Sequence, residues 1–173
     1  MRKVLFRIFF NRSTLQVAYD LLGKFLVRKI NGKIVSGMIT EVEAYVGMDD
    51  KASHASRGRT KRTEVMFGKP GHWYVYMIYG MHYCLNIVTE QERFPAAVLI
   101  RSLDVINGPG RVCKYMHIDR KLNTVAISKK AGLWIEDRGR IISKSDIKTG
   151  KRIGVDYAGK WKEKPWRFFL QQI

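Results

Sequence analysis

The chain has 173 residues, with 32 Lys plus Arg against 15 Asp plus Glu and a formal net charge of +17. A hydrophobic fraction of 46% and an aromatic fraction of 12% exclude a disordered chain, and the length suits one domain spanning residues 1–173 with a real core. The charge excess, spread between apolar segments rather than gathered in a tail, is far beyond what solubility requires and points to a polyanionic partner: DNA, RNA or an acidic membrane.

In chain order, the apolar run of the first ten residues is broken by Arg7 and closed by Asn11-Arg12-Ser13 before a signal-peptide core develops. No segment approaches the ~20 apolar residues that span a bilayer. The expectation is therefore a soluble, intracellular protein (cytoplasm and nucleoid, or nucleus in a eukaryote) with no membrane association. Ser13 or Thr14 is then a candidate N-cap; Leu15, Ala18, Tyr19 and Leu22 recur at helical spacing, and Gly23 ends the helix. Residues 25–30 read as a strand, Asn31-Gly32 as a tight hairpin turn, and residues 33–45 as the returning strand. A period of two places Glu41 and Glu43 on the face of Val35, Gly37 and Ile39. Two carboxylates extending an apolar face are unusual, although Glu41 near the strand end can simply reach solvent.

Residues 49–69 form a polar loop with His54, Arg57, Arg59, Lys61, Arg62 and Lys69. Loops carry function more often than scaffolds do, yet a basic loop is also the ordinary form of a solvated surface. Pro70-Gly71 leads into an aromatic run from Trp73 to Asn86 that contains four of the eight tyrosines. Such a run prefers strand, and Gly80 folds it into a hairpin with Tyr79 and Met81 flanking the tip. Either another loop covers that tip, or it is a wedge for nucleic acid, since apolar side chains pushed between base steps kink a duplex and help unstack a base. Residues 97–103 form the next strand, in which Arg101 is the lone charge; it either snorkels outward or pairs with a buried carboxylate. Asn107-Gly108-Pro109-Gly110 turns into a helix through Val112, Tyr115 and Met116, and further strands are expected at residues 133–135, 152–157 and 166–170. The class is α+β: an antiparallel-rich sheet with a few helices.

The two cysteines, Cys84 and Cys113, have no metal-like spacing, which argues against a disulfide framework or structural zinc site and fits a reducing compartment. The chain also lacks a phosphate-binding Gly-rich loop, a dinucleotide fingerprint, a zinc-spaced His pair and a Gly-x-Ser-x-Gly elbow. No metal or cofactor is expected. What remains is a carboxylate, a histidine, an arginine and tyrosines beside an aromatic hairpin, a set suited to activating water beside a stacked aromatic ligand.

Several motifs stand in order: Leu21-Leu22-Gly23-Lys24, Glu41-Val42-Glu43-Ala44-Tyr45, Met66-Phe67-Gly68-Lys69-Pro70-Gly71, Tyr74-Val75-Tyr76-Met77-Ile78-Tyr79-Gly80-Met81, Asn107-Gly108-Pro109-Gly110 and Lys164-Pro165-Trp166-Arg167-Phe168. With these, residues 10–170 closely resemble the alkyladenine (3-methyladenine) DNA glycosylases of the methylpurine DNA glycosylase family. The resemblance implies a curved antiparallel sheet core with flanking helices and a protruding β-hairpin. It also implies a monomeric base-excision enzyme acting on damaged double-stranded DNA. Such an enzyme flips alkylated or deaminated purines (3-methyladenine, 7-methylguanine, hypoxanthine, ethenoadenine) and hydrolyses the N-glycosidic bond, leaving an abasic site without cutting the strand.

Residue by residue, Glu43 matches the catalytic base that deprotonates a water, and Arg101 the arginine that helps hold that water. Tyr45, His54 and Tyr76 match the residues stacking on the flipped base, and Asn86 the side chain that discriminates among purines. Tyr79 matches the wedge, with Met81 beside it, and Arg57, Arg59 and Arg62 of the basic loop are the candidate contacts to the DNA backbone. The chain departs from the family in two places. Only residues 102–106 stand where the family has a longer, partly helical insertion, and Lys61 and Thr63 replace the more usual Pro and Asn. The competing reading is a basic nucleic-acid-binding domain without catalysis.

Overall fold

The computed structural model describes residues 2–171. Among them lie β1 (Lys3–Val4), α1 (Arg7–Phe10), α2 (Thr14–Leu21), β2 (Phe25–Ile30), β3 (Lys33–Val46), β4 (Trp73–Ile78), β5 (His82–Val88), β6 (Ala96–Leu103), β7 (Ile106–Asn107), α3 (Pro109–Tyr115), β8 (Leu133–Asp137), β9 (Ile147–Gly150) and β10 (Arg167–Leu170). The described pairings are antiparallel, in the order β1-β8-β2-β3-β6-β5-β4, with β7 on β6, β10 on β3 and β9 beyond β10. The α+β class expected from the sequence is the one found.

β3 is the organising strand. It leaves β2 through the expected tight turn, with Asn31 and Gly32 at φ 47° and 80° and Ile30 opposite Lys33. It pairs with β6 along one edge and, along the other, first with β2 and then with β10 at residues 41–43. Both edges of the Glu43 segment are thus hydrogen-bonded. The register against β6 slips between Ile39 and Glu41 and again between Glu41 and Val42. This overturns the expected shared face. Ile39, Val42 and Ala44 all enter the main core, so the irregularity shifts the alternation and turns Glu41, Glu43 and Tyr45 away from it.

The main core packs Val17, Ala18 and Leu21 of α2 and Val112 of α3 with Val42, Ile100 and Leu103 of the sheet. Helix α2 begins where expected, but the Ser13 side chain does not cap it. Glu90, 76 positions away, accepts from the Thr14 amide at 2.6 Å, and also from the Thr14 hydroxyl at 2.9 Å. No local capping motif could reveal a partner at that separation.

The polar loop at 49–69 is more than a solvated surface. Its two 3₁₀ turns, His54–Arg57 and Glu64–Phe67, bury Ala55, Val65, Met66 and Phe67 against Tyr74, Val88 and Ala97. The strand expected at residues 152–157 is not formed. Strand β9 lies earlier, Gly154 adopts φ 75°, and the Ile153 amide donates to the Glu43 side chain instead of to a neighbouring strand. Among the described residues no helix is long and apolar enough to cross a membrane.

Candidate active site

Tyr45, His54, Tyr76, Asn86 and Arg101 line one open cavity of about 200 Å³. Drug-sized ligands occupy pockets from about 300 Å³ upward, so this one suits a single ring system rather than a whole nucleotide. The hairpin arms supply one wall. Alternation places Tyr74 and Tyr76 of β4 on the same face, opposite Asn86 and Cys84 of β5. The His54 ring stands edge-on to Tyr76 with centroids 4.6 Å apart, and its Nδ1 shares a 2.8 Å hydrogen bond with the Tyr74 hydroxyl. Asn86 is buried, and its Nδ2 donates to the Tyr74 carbonyl at 3.2 Å.

Burial, reinforced by Arg62 and Arg57, lowers the His54 pKa from 6.5 to about 4. The His54 imidazole is therefore neutral at physiological pH and adds no charge of its own to the aromatic wall. An NMR titration of the imidazole is expected to show its midpoint near pH 4. Because the folded value is depressed, the stability this neutral imidazole confers is present above pH 6.5 and is lost as pH falls through about 4. A midpoint above pH 6 would mean that the ring is solvated rather than held in the wall.

Glu43 lies behind the cavity, 0% exposed. Its Oε2 accepts from the Tyr45 hydroxyl at 2.8 Å, and its Oε1 from the Ile153 amide at 2.8 Å, with Arg101 Nη1 at 3.5 Å. Burial pushes its pKa up. Arg101, the Ile153 amide and the Tyr45 hydroxyl oppose that, Glu41 adds to it, and the net shift is upward. Arg101 therefore pairs rather than snorkels, and it is shared. Its Nε donates at 3.2 Å to Glu41, which also accepts from Arg167 at 3.0 Å and Ser102 at 2.8 Å. Burial pushes the Glu41 pKa up as well, but Arg167, Ser102 and Arg101 outweigh it and leave the value below the ordinary range. Two carboxylates two positions apart are thus driven in opposite directions. Glu41 is a fixed counter-ion, and Glu43 is a carboxylate with raised proton affinity.

The hairpin tip is bare. Tyr79 is 88% and Met81 71% exposed, which overturns the reading in which another loop covers them. Tyr79 adopts φ 50° and Gly80 φ 68°, and the Met81 amide closes the turn onto the Ile78 carbonyl at 3.2 Å. A bulky residue at positive φ is a backbone outlier, and this one receives no burial in return.

The three loop arginines differ. Arg57 is exposed; Arg59 is held by Glu64 through bonds of 2.7 and 2.6 Å; Arg62 lies over the ring of Tyr76, a cavity-lining residue, at 4.9 Å. Three features of the site were not anticipated. Tyr74 was legible in the alternation of β4. The Ile153 amide, and the buried Asp50–Arg152 pair beside it, had no local signal.

Comparison with known proteins decides the family. The family model described as Methylpurine-DNA glycosylase (MPG) matches residues 8–108 and 103–173. The chain belongs to this family. The two matched segments overlap at residues 103–108, from the end of β6 through β7. A Methanocella arvoryzae relative is 47% identical over 186 residues, covering 96% of this chain and 92% of its own. An Ehrlichia chaffeensis relative is 46% identical (98% and 94% covered), and one from Wolbachia pipientis subsp. Culex pipiens 51% identical (95% and 88% covered). Each of the three bears the name "Putative 3-methyladenine DNA glycosylase".

Proposed function

We propose that this chain is a monofunctional DNA glycosylase of base-excision repair, acting as a monomeric single domain. It turns an alkylated or deaminated purine out of duplex DNA into the cavity and hydrolyses its N-glycosidic bond. The observation that carries this reading is Glu43, a buried carboxylate of raised proton affinity behind an open cavity with an aromatic wall. The family and the names of the relatives support it, with 3-methyladenine as the first lesion to test.

In this mechanism Tyr79, with Met81 beside it, occupies the gap left in the duplex. Tyr45, His54 and Tyr76 stack on the extruded base, and Asn86 discriminates among purines by hydrogen bonding. Glu43 takes a proton from a water held with Arg101. The water oxygen bonds to the anomeric carbon as the bond to the base nitrogen breaks, and that electron pair leaves with the base. In an N-alkylated purine the pair neutralises an existing positive charge. A hypoxanthine or ethenoadenine leaving group requires hydrogen bonding or protonation as well. Water as the nucleophile leaves an abasic site and an intact strand.

The test is a set of labelled duplexes, each with one lesion, scored for breaks with and without hot alkali. Breaks that require alkali are expected. Binding without release of any base would sink the enzyme and leave a damage-binding module. Among the loop arginines, Arg57→Ala is expected to reduce the slope of log K against log salt by about 0.9, one phosphate contact. Arg59→Ala should change it less, because Glu64 already neutralises Arg59. Equal slopes for the two variants would remove the distinction.

A further inference from the structure

Arg152 and Asp50 form an ion pair whose side chains are both 0% exposed, with bonds of 2.5 and 2.8 Å. Removing such a pair from water is costly, and apolar replacements of similar volume are often neutral or stabilising. Stability alone is therefore a weak reason for its presence. Its connections suggest a better one. Arg152 Nη1 also donates to the Ala44 carbonyl at 2.9 Å, on the main chain between Glu43 and Tyr45, and Nη2 donates to the Trp161 carbonyl at 3.1 Å. Its guanidinium lies 4.9 Å from the Tyr45 ring centroid and 5.1 Å from that of Trp166. The next residue in the chain is Ile153, whose amide donates to Glu43. Asp50 in turn accepts from the Val46 amide at the end of β3 and from the Ala52 amide, each at 3.1 Å, on the segment leading to His54.

We propose that Arg152, locked by Asp50, is a positioning residue for the Glu43 carboxylate, because it fixes both groups that donate to it. One donor, the Ile153 amide, is attached to Arg152 by a single peptide bond. The other, the Tyr45 hydroxyl, belongs to a ring that the guanidinium covers. A planar fork satisfies the two Asp50 oxygens and two carbonyls at once, which an ammonium cannot do. The role in catalysis rests on the glycosylase reading; the geometric role does not.

The test uses the full chain with Arg152→Lys and Asp50→Asn. The first reading is the Glu43 titration, by NMR of ¹³C-labelled glutamate carboxyls. The second is single-turnover base release from a hypoxanthine duplex against pH. The groups facing Glu43 are Glu41 and Tyr45 on β3, Arg101 on β6, Cys84 on β5 and the Ile153 amide, all retained in both variants. With Arg152→Lys the donors are released, so the Glu43 titration and the acid limb of the rate are expected to move together to higher pH. The rate at neutral pH should fall by about a hundredfold, the scale of a small misplacement of a reacting group, with duplex affinity unchanged. Asp50→Asn should move both in the same direction by less. Folded variants with an unmoved titration and rate would overturn the proposal. Variants that do not fold at any temperature would also overturn it, assigning the pair to stability. If the wild type releases no base while Arg152→Lys still moves the Glu43 titration, positioning stands and the glycosylase reading falls.

Discussion

Glu43→Gln is expected to abolish base release while leaving a more stable protein. The loss follows from the role. A general base contributes about 10²–10⁴-fold, and glutamine cannot take a proton from water. The gain follows from the environment. The carboxylate is buried, burial is the largest influence on it, and the net shift of its pKa is upward. A raised folded-state value means that the protonated form is favoured by folding. The ionised side chain therefore costs stability as pH rises through that value, and costs nothing below the unfolded value, where both states are protonated.

Glutamine removes the charge, yet its oxygen can accept from the Ile153 amide while its NH₂ meets the Tyr45 hydroxyl, and Arg101 keeps Glu41 as a partner. A gain on the order of 1 kcal/mol, about 2–4 °C in Tm, is expected near neutral pH. It should shrink as pH falls toward the ordinary glutamate range. Thermal melts of both proteins from pH 4 to 8 would read this, and a destabilised variant at pH 8 would mean that the pair with Arg101 outweighs burial. The same raised pKa places the acid limb of the wild-type rate above that of an ordinary glutamate. His54, at about 4, adds no limb near neutrality.

How much of this was legible in the sequence depends on whether the determining contact is local. The Asn31-Gly32 turn, the hairpin about Gly80 and the start of α2 were readable, because turn chemistry and periodicity act over a few residues. Tyr76 was reached through the family resemblance and its wall partner Tyr74 was missed, although alternation in β4 puts both on one face, and the lone charge of Arg101 in an apolar strand marked it as paired or snorkelling. The face occupied by Glu43 was misread, because the slip in β3 depends on the register of β6, some 60 positions away in the chain. The expected strand at 152–157 failed for the same kind of reason. Val155 and its apolar neighbours look like a ladder strand, but the Arg152 side chain and the Ile153 amide are committed to Asp50 and Glu43, more than 100 positions distant. The scaffold around Glu43 is therefore the least legible part of the fold, while the roles expected of the groups that it holds rest on the family resemblance rather than on local pattern.

Tyr79→Asn is expected to separate the wedge from the fold. In the free protein Tyr79 holds φ 50° while 88% exposed, so neither packing nor hydrogen bonding offsets its conformation. Strain of this kind costs about 1–3 kcal/mol in a non-glycine residue, and asparagine adopts positive φ more readily than tyrosine does. A rise in Tm of about 2–4 °C, for roughly 1 kcal/mol recovered, is therefore expected. On DNA the effect should reverse. Stacking of an aromatic ring on a base is worth about 1–3 kcal/mol, so removing it should slow single-turnover release from a duplex by about tenfold to a hundredfold. Tyr79 also stands at the cavity lining, but Glu43 and its donors Tyr45 and Ile153 are unchanged by this substitution. A lesion in single-stranded DNA has no stacked partner to displace, so its release should be much less affected. The decisive quantity is the ratio of duplex to single-strand rates, which should collapse in Tyr79→Asn and be largely retained in Tyr79→Phe. Equal losses on the two substrates would place Tyr79 in general DNA affinity, and the strained, bare tip would have no role in opening the duplex.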